Sequence, residues 1–192
     1  MANNENENQP VVRKTWTMLK KVDRNKYITF SEDIIPTFTS ATTTDKYGLW
    51  KASGSGMTSG QGWYLFDKTT KTMIRSKGSS VTNKYMYVEL TLPPNVEICV
   101  EEFEMYGRDW SGNFLMYIEG YNTETNSWER ITEKVGLTHG NSNISMLTII
   151  QKYYNRFRWA NYNPSYQSIE NYTDMYLWRF KKGTLKEKPI EE

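Results

Sequence analysis

Cysteine and histidine are nearly missing from this 192-residue chain, which has one of each, Cys99 and His139. A single cysteine excludes a disulfide framework. One Cys and one His are too few for a zinc centre of the common kind. A Ser–His–acid or Cys–His nucleophile would have to run through His139, which stands in Leu137-Thr138-His139-Gly140-Asn141 with no recognisable catalytic motif around it. Long apolar runs are also missing, and nothing approaches the ~20 residues that a membrane-spanning helix needs. The opening Met1-Ala2-Asn3-Asn4-Glu5-Asn6-Glu7-Asn8 has neither the basic region nor the apolar segment of a signal peptide. The expectation is a soluble chain that carries no export signal and does not enter a membrane. An excess of one charge is lacking too: 24 basic residues face 22 acidic ones, for a net charge of +2. That balance offers nucleic acid no bulk attraction and no strong steering of charged ligands. Cys99 lies in an alternating apolar segment, where a lone thiol is expected to serve as a small buried hydrophobe in a reducing compartment.

What the chain does have is aromatics, 15% of its residues, with seven Trp and fourteen Tyr. Disordered segments are poor in these residues, so a packed fold is expected. The length suits one domain with a modest extension and is enough to bury a core without covalent staples. Residues 1–10 are rich in Asn and Glu and have nothing to bury. Residues 11–33 form a basic leader with a few apolar anchors. Trp16, Leu19 and Val22 fit one helix face, while Val12, Trp16 and Met18 fit one strand face equally well.

From Ile34 onward, short apolar runs alternate with period two between Gly, Asn, Ser, Thr and Pro, the pattern of an all-β chain. Met86, Val88, Leu90 and Leu92 share one face of a strand that Pro93-Pro94-Asn95 stops. Val96, Ile98 and Val100 form the next, continued by Phe103 and Met105 to Gly107. Phe114, Met116 and Ile118 follow a turn at 108–113, and Trp128 and Ile131 follow a turn at 122–127. Tyr153 to Trp159 reads as a strand with Phe157 and Trp159 inward and Arg156 and Arg158 outward, and Met175 to Phe180 as the last. Residues 136–146 and 161–171 read as loops, and 184–192 as a charged tail. About eight strands at this spacing favour a sandwich or jelly roll.

Several of these segments, in order, resemble a known family. Ile34-Ile35-Pro36-Thr37-Phe38-Thr39-Ser40 with Ala41-Thr42-Thr43-Thr44 is similar to the opening of discoidin-like domains, also called coagulation-factor type C domains. Trp50-Lys51-Ala52-Ser53-Gly54-Ser55, Trp63-Tyr64-Leu65-Phe66-Asp67 and Tyr87-Val88-Glu89-Leu90 resemble later family segments. So do Tyr117-Ile118-Glu119-Gly120-Tyr121, Asn126-Ser127-Trp128-Glu129-Arg130-Ile131 and Tyr154-Asn155-Arg156-Phe157-Arg158-Trp159. The resemblance covers roughly 34–183, and it rests on order and spacing more than on any one motif.

It implies an eight-stranded jelly-roll sandwich whose loops at one end bind glycans, phospholipids or proteins. The Ile-Pro-x-x-Thr-Ser opening looks most like the versions found in bacteriophage fibres and other virion appendages. Many glycan-binding members hold a structural calcium; Asp67 matches its first ligand, and Asp174 stands near the second but out of register. Lys68 replaces the family's Gly after Phe66-Asp67, and Met73-Ile74 stands where a Trp is usual. A hard cation needs several convergent oxygens and the sequence assures one, so no cofactor is expected.

The best functional candidates are aromatics beside turns. Trp63 and Tyr64 adjoin the Gly-rich 54–60 segment, Trp110 sits in a turn with Arg108, and Tyr162 and Tyr166 crowd the 161–172 loop. Sugar rings stack their C–H faces on such rings while polar neighbours orient them; the alternative role for a large aromatic is to plug the core. Gly54 to Gly60 lacks the Lys-Ser/Thr ending of a phosphate loop and reads as a flexible loop. Glu101, Glu102 and Glu104 could mimic a glycosidase pair but suit a solvated strand face better.

The sequence therefore predicts a discoidin-like sandwich at 34–183 behind a flexible 1–33 docking arm. The function expected is that of a non-enzymatic bacteriophage virion module, assembled in the host cytoplasm. Trp16, Leu19 and Val22 would dock it to other virion proteins, as part of a homo-oligomer. Trp63, Tyr64, Arg108, Trp110, Tyr162 and Tyr166 would meet host-surface glycan. The alternative is a free carbohydrate-binding module serving a separate enzyme.

Overall fold

The period-two runs of the sequence become strands because each has one face of Val, Ile, Leu, Met or an aromatic to bury. The computed structural model describes residues 24–77, 85–109, 115–136, 140–162 and 172–189. Among these are twelve strands in two sheets, with every pairing antiparallel. In chain order they are β1 (Lys26–Phe30), β2 (Thr42–Asp45), β3 (Gly48–Ser55), β4 (Ile74–Lys77), β5 (Tyr85–Thr91) and β6 (Val96–Asp109). Then come β7 (Leu115–Asn122), β8 (Ser127–Arg130), β9 (Val135–Gly136), β10 (Gly140–Leu147), β11 (Arg156–Tyr162) and β12 (Tyr172–Glu187). One sheet runs β1-β12-β6-β10, with β4 also on β12; the other runs β2-β3-β5-β11-β7-β8, with β9 also on β7.

The sheets face each other across an aromatic core. Phe157 of β11 meets Phe180 of β12 with ring centroids 4.8 Å apart and Phe103 of β6 at 6.0 Å, while Phe103 and Phe180 lie 4.9 Å apart, all three pairs edge-on. Edge-to-face packing of this kind adds to the burial of large rings. Trp50, Trp159 and Trp178 are fully buried around this triad, as are the inward residues read from the alternation, Val88, Leu90, Ile98, Met105 and Ile118.

The sandwich is larger than the sequence suggested. Twelve strands replace the expected eight, the additions being mostly short edge pieces. β1 falls within the presumed 1–33 leader: Phe30 pairs with Gly183 and Lys26 with Glu187. β12 extends past Met175–Phe180 in both directions, so residues 184–187 of the presumed tail belong to the sheet. The presumed loop at 136–146 contains β10, which pairs with β6 from Gly140↔Asp109 to Leu147↔Glu102. The alternation there is masked by Asn and Ser, whose side chains bond across the strand: Asn143 to Glu104 at 2.8 Å and Ser145 to Glu102 at 2.7 Å.

Cys99 is half-exposed rather than buried, because it alternates with the inward Ile98 and Val100; its Sγ lies 3.3 Å from Gln151 Oε1. Burial and then the Glu101 charge push its thiol pKa up. The face changes between Val100 and Phe103 because Lys182 pairs with Glu102 and Gly183 with Val100, leaving Glu101 as the extra residue of a bulge.

Candidate functional site

Strand register gathers one set of connections at a single end of the sandwich. In one sheet Ser55 pairs with Tyr87, Tyr85 with Tyr162, Tyr162 with Leu115, and Leu115 with Gly136. In the other sheet Lys77 pairs with Tyr172, while Asp109 pairs with both Gly140 and Thr173. The two sets lie at the same end, because only residues 110–114 join β6 to β7 and so short a link cannot cross the length of a sandwich. The loops expected at 54–64, 108–113 and 161–172 therefore all leave the strands here, which is termed the loop end below.

The segment after β3 is held rather than loose. Thr58 N donates to Arg75 O at 2.8 Å, and Arg75 N to Ser59 O at 2.9 Å, which ties this turn of one sheet to β4 of the other. Its glycines serve close approach. Gly60 has φ +85°, and a Cβ on Gly62 would stand 2.4 Å from Ser53 O. The phosphate-loop likeness thus ends in backbone packing, not in the flexible loop expected. A 3-10 turn, Gly62–Phe66, follows and carries Trp63 and Tyr64. Both rings are half-buried, packed against the core and edge-on to each other at 4.5 Å, and Trp63 Nε1 donates to Gln61 Oε1 at 2.7 Å. Neither ring is a full core plug; each keeps part of its surface in solvent.

The row of charge at this end was not legible in the sequence. Across β4, β12 and β6, register aligns Arg75, Asp174 and Arg108. Asp174 is only 2% exposed and takes both Nε (2.6 Å) and Nη2 (2.8 Å) of Arg75. Beside this row the Tyr106 and Tyr176 rings lie 5.4 Å apart. Burial first, and then the Asp174 charge, push the Tyr176 hydroxyl pKa up, against the pull of Arg108. Arg75 and Asp174 stand 99 residues apart in the chain, so only the sheet brings them together. The arrangement offers charged and phenolic hydrogen-bonding groups on strands against which the turn carrying the partly exposed Trp63 and Tyr64 also packs, which suits recognition of a polar ligand.

The other candidates fall as follows. Arg108 belongs to the row just described. Tyr162 ends β11, with its backbone alone described. Trp110, Tyr166 and His139, and the docking candidates Trp16, Leu19 and Val22, lie outside the described residues. Asp67 does not meet Asp174. Its Oδ1 accepts from Thr69 N at 3.0 Å and its Oδ2 from the Thr72 hydroxyl, closing a turn that holds Lys68 at φ +59°. Asp67, the match for the first calcium ligand, thus serves its own turn, Asp174 serves Arg75, and no group of three metal-binding side chains gathers among the described residues.

Glu101, Glu102 and Glu104 are committed to Lys182, Ser145 and Arg179 on the outer strand face. Arg156 and Arg158 point outward, as the alternation implied. Both bond to Glu89, at 2.6 and 3.3 Å, and they stack over Tyr121, Trp128 and Tyr87 at 4.0–5.1 Å. No helix among the described residues is long and apolar enough to cross a membrane.

No protein-family model matches the chain, and no curated protein matches it in sequence. Solved structures do. The C-terminal domain of a chitobiase from Bacteroides fragilis superposes with a TM-score of 0.53 at 14% identity, over 73% of this chain and 97% of that domain. The family 32 carbohydrate-binding module of NanJ from C. perfringens, solved in complex with galactose, superposes with a TM-score of 0.50 at 12% identity, over 70% of this chain and 93% of the module. At such identities the likeness is one of fold, and the fold is the all-β, discoidin-like jelly-roll sandwich that the sequence motifs implied.

Proposed function

We propose that this protein is a non-catalytic carbohydrate-binding module that takes glycan at the loop end, and that it serves as an adhesion module of a bacteriophage virion. The observation that carries the glycan reading is that the turn leading into the half-exposed Trp63 and Tyr64 is bonded to Arg75, and their 3-10 turn packs on β4 and β12, two of the strands that build the Arg75–Asp174–Arg108 row. Rings of that kind accept the C–H face of a sugar, and charged donors and acceptors fix its hydroxyls. Galactose, seen in the NanJ module, is the natural first ligand to try. The virion role rests on the phage-like opening at Ile34–Ser40 and places the docking arm, with Trp16, Leu19 and Val22, ahead of β1.

Two experiments test the reading. A glycan array should retain the full chain and lose Trp63→Ala and Arg108→Ala; equal retention of all three would contradict loop-end binding. A chain starting at Arg24 should stay folded but fail to enter virus particles, and unchanged incorporation would contradict the docking arm. The second reading, a free module serving a separate enzyme, is favoured by the fold likeness to a domain of a chitobiase. It predicts glycan binding by a monomer with no particle association.

A further inference from the structure

The end opposite the loops has a cleft of its own, shared with none of the loop-end residues. It encloses about 350 Å³ and is lined by residues 121–124 of the β7–β8 turn, residues 152–155 ahead of β11, and Glu97 and Lys186. Glu97 is the second residue of β6 and pairs in register with Lys186 near the end of β12, which puts the cleft a full strand length from Asp109 and Thr173. The volume lies at the small end of the range for ligand pockets, ~300–1,000 Å³.

Its chemistry narrows what fits. Of the charged lining residues, Glu97, Lys186 and Lys152 are already in ion pairs, while Glu124 adds an exposed carboxylate. Lys186 bonds Glu97 at 3.0 Å and Lys188 bonds the same carboxylate. Lys152 reaches Glu129 Oε1 at 3.3 Å, the oxygen to which the Tyr154 hydroxyl donates at 2.6 Å. An anionic ligand would have to draw Lys186 or Lys152 from its carboxylate, so a neutral one with hydroxyls to donate is favoured over an anion. Tyr153 is 38% exposed, with Tyr27 set edge-on at 6.1 Å to brace its ring. Asn155, another lining residue, keeps its side-chain oxygen enclosed and out of a ligand's reach. The exposed polar groups of the lining are the Thr123 hydroxyl and the Glu124 carboxylate in the β7–β8 turn. An aromatic ring beside such acceptors, in a space of this size, matches a ring compound with C–H faces and hydroxyl donors.

We propose that this cleft is a second carbohydrate site, taking one neutral pyranose residue against Tyr153 with a hydroxyl donated to Glu124. The choice of ligand class rests on the glycan-binding reading above, whereas the location of the site does not. A protein with a site at each end would bridge two glycan chains, and its avidity would exceed either single affinity.

The test is amide chemical-shift mapping on the full chain with millimolar D-galactose, D-glucose and D-mannose. Wild type is compared with Tyr153→Ala, Tyr153→Phe and Trp63→Ala. At least one hexose is expected to shift the amides of Tyr153, Asn155 and Lys186. Affinity at the cleft should fall about tenfold or more in Tyr153→Ala, survive in Tyr153→Phe and stay unchanged in Trp63→Ala. Shifts confined to loop-end amides would overturn the second site and leave the glycan reading standing. Cleft shifts with a silent loop end would keep the second site and count against the first. Silence at both ends with all three sugars would remove both, and loss of the cleft response in Trp63→Ala would overturn its independence.

Discussion

At the loop end, four strand connections, residues 78–84, 110–114, 137–139 and 163–171, leave the sheets beside the pinned 56–61 turn. At the opposite end, Pro93 to Asn95 turns β5 into β6 with Val96 N on Pro93 O at 2.9 Å, and residues 123–126 turn β7 into β8. The loop end owes its charged row to strands that are remote in sequence, Arg75 on β4 and Asp174 on β12. The far end is built from neighbours such as Tyr153, Tyr154 and Asn155, and from ion pairs along two adjacent strands. Connections between strands can change a recognition surface without disturbing the core. The far end is held by its two tight turns and by the 148–155 segment, which Tyr154 bonds to Ile98 in both directions.

That contrast can be broken outright at the core. Phe157 sits between the two ends in the triad with Phe103 and Phe180, so Phe157→Ala should cost about 3–5 kcal/mol in denaturant unfolding and impair both ends together. The ends come apart in Arg75→Met, which strips Asp174 of its bidentate partner. Arg75 is one-third exposed, so the loss should fall at or below about 3 kcal/mol. Amide exchange should rise in residues 56–60 and 172–175 and stay unchanged in 121–124.

Starting the chain at Ile34 instead of Arg24 removes β1 and its partly buried Ile28 and Phe30. A loss of about 2 kcal/mol is expected, read as a lower melting temperature, with an exposed β12 edge beside the far end.

The smallest effect sharpens the comparison through pH. Burial acts to raise the Glu97 carboxyl pKa, but hydrogen bonds from Lys188 and Lys186 and their charges outweigh it and hold the group below its ordinary 4.5. A depressed carboxyl pKa contributes stability above the unfolded value, and that stability is lost as pH falls through the folded value. Glu97→Gln should therefore flatten the decline of stability below pH 4.5. Asp33 runs the other way. Burial raises its pKa above 3.8 despite Lys68 and the amides of Phe180 and Ile35, so its contribution is full below 3.8 and lost as pH rises through the raised value. Asp33→Asn should flatten the profile in that higher window, as thermal melts across pH would read.

Much of the sandwich was legible because burial on one face writes period two into the chain. Met86, Val88 and Leu90 declared β5, and Phe157 and Trp159 declared β11, with Arg156 and Arg158 outward. β10 stayed hidden because an edge strand buries little; among its described side chains only Met146 is fully buried, and Asn143 and Ser145 look like loop residues until Glu104 and Glu102 stand opposite. β1 was hidden because it is a short edge strand with only Ile28 and Phe30 packed on the core, and the end of β12 because it is a charged run beyond the last apolar one. Asp67 was noticed for its place in a motif, but the turn it closes was not. Trp63 and Tyr64 could be picked from the sequence by their company. Arg75, Tyr106, Tyr176 and the role of Asp174 could not, since cross-strand rows depend on register between segments that local pattern leaves free.

Hydrogen–deuterium exchange on the full chain with and without galactose tests whether polar ligand binds at the loop end. Added sugar is expected to slow exchange in residues 56–64, 105–109 and 172–176. Unchanged exchange in all three segments, under conditions where galactose is bound, would contradict binding there.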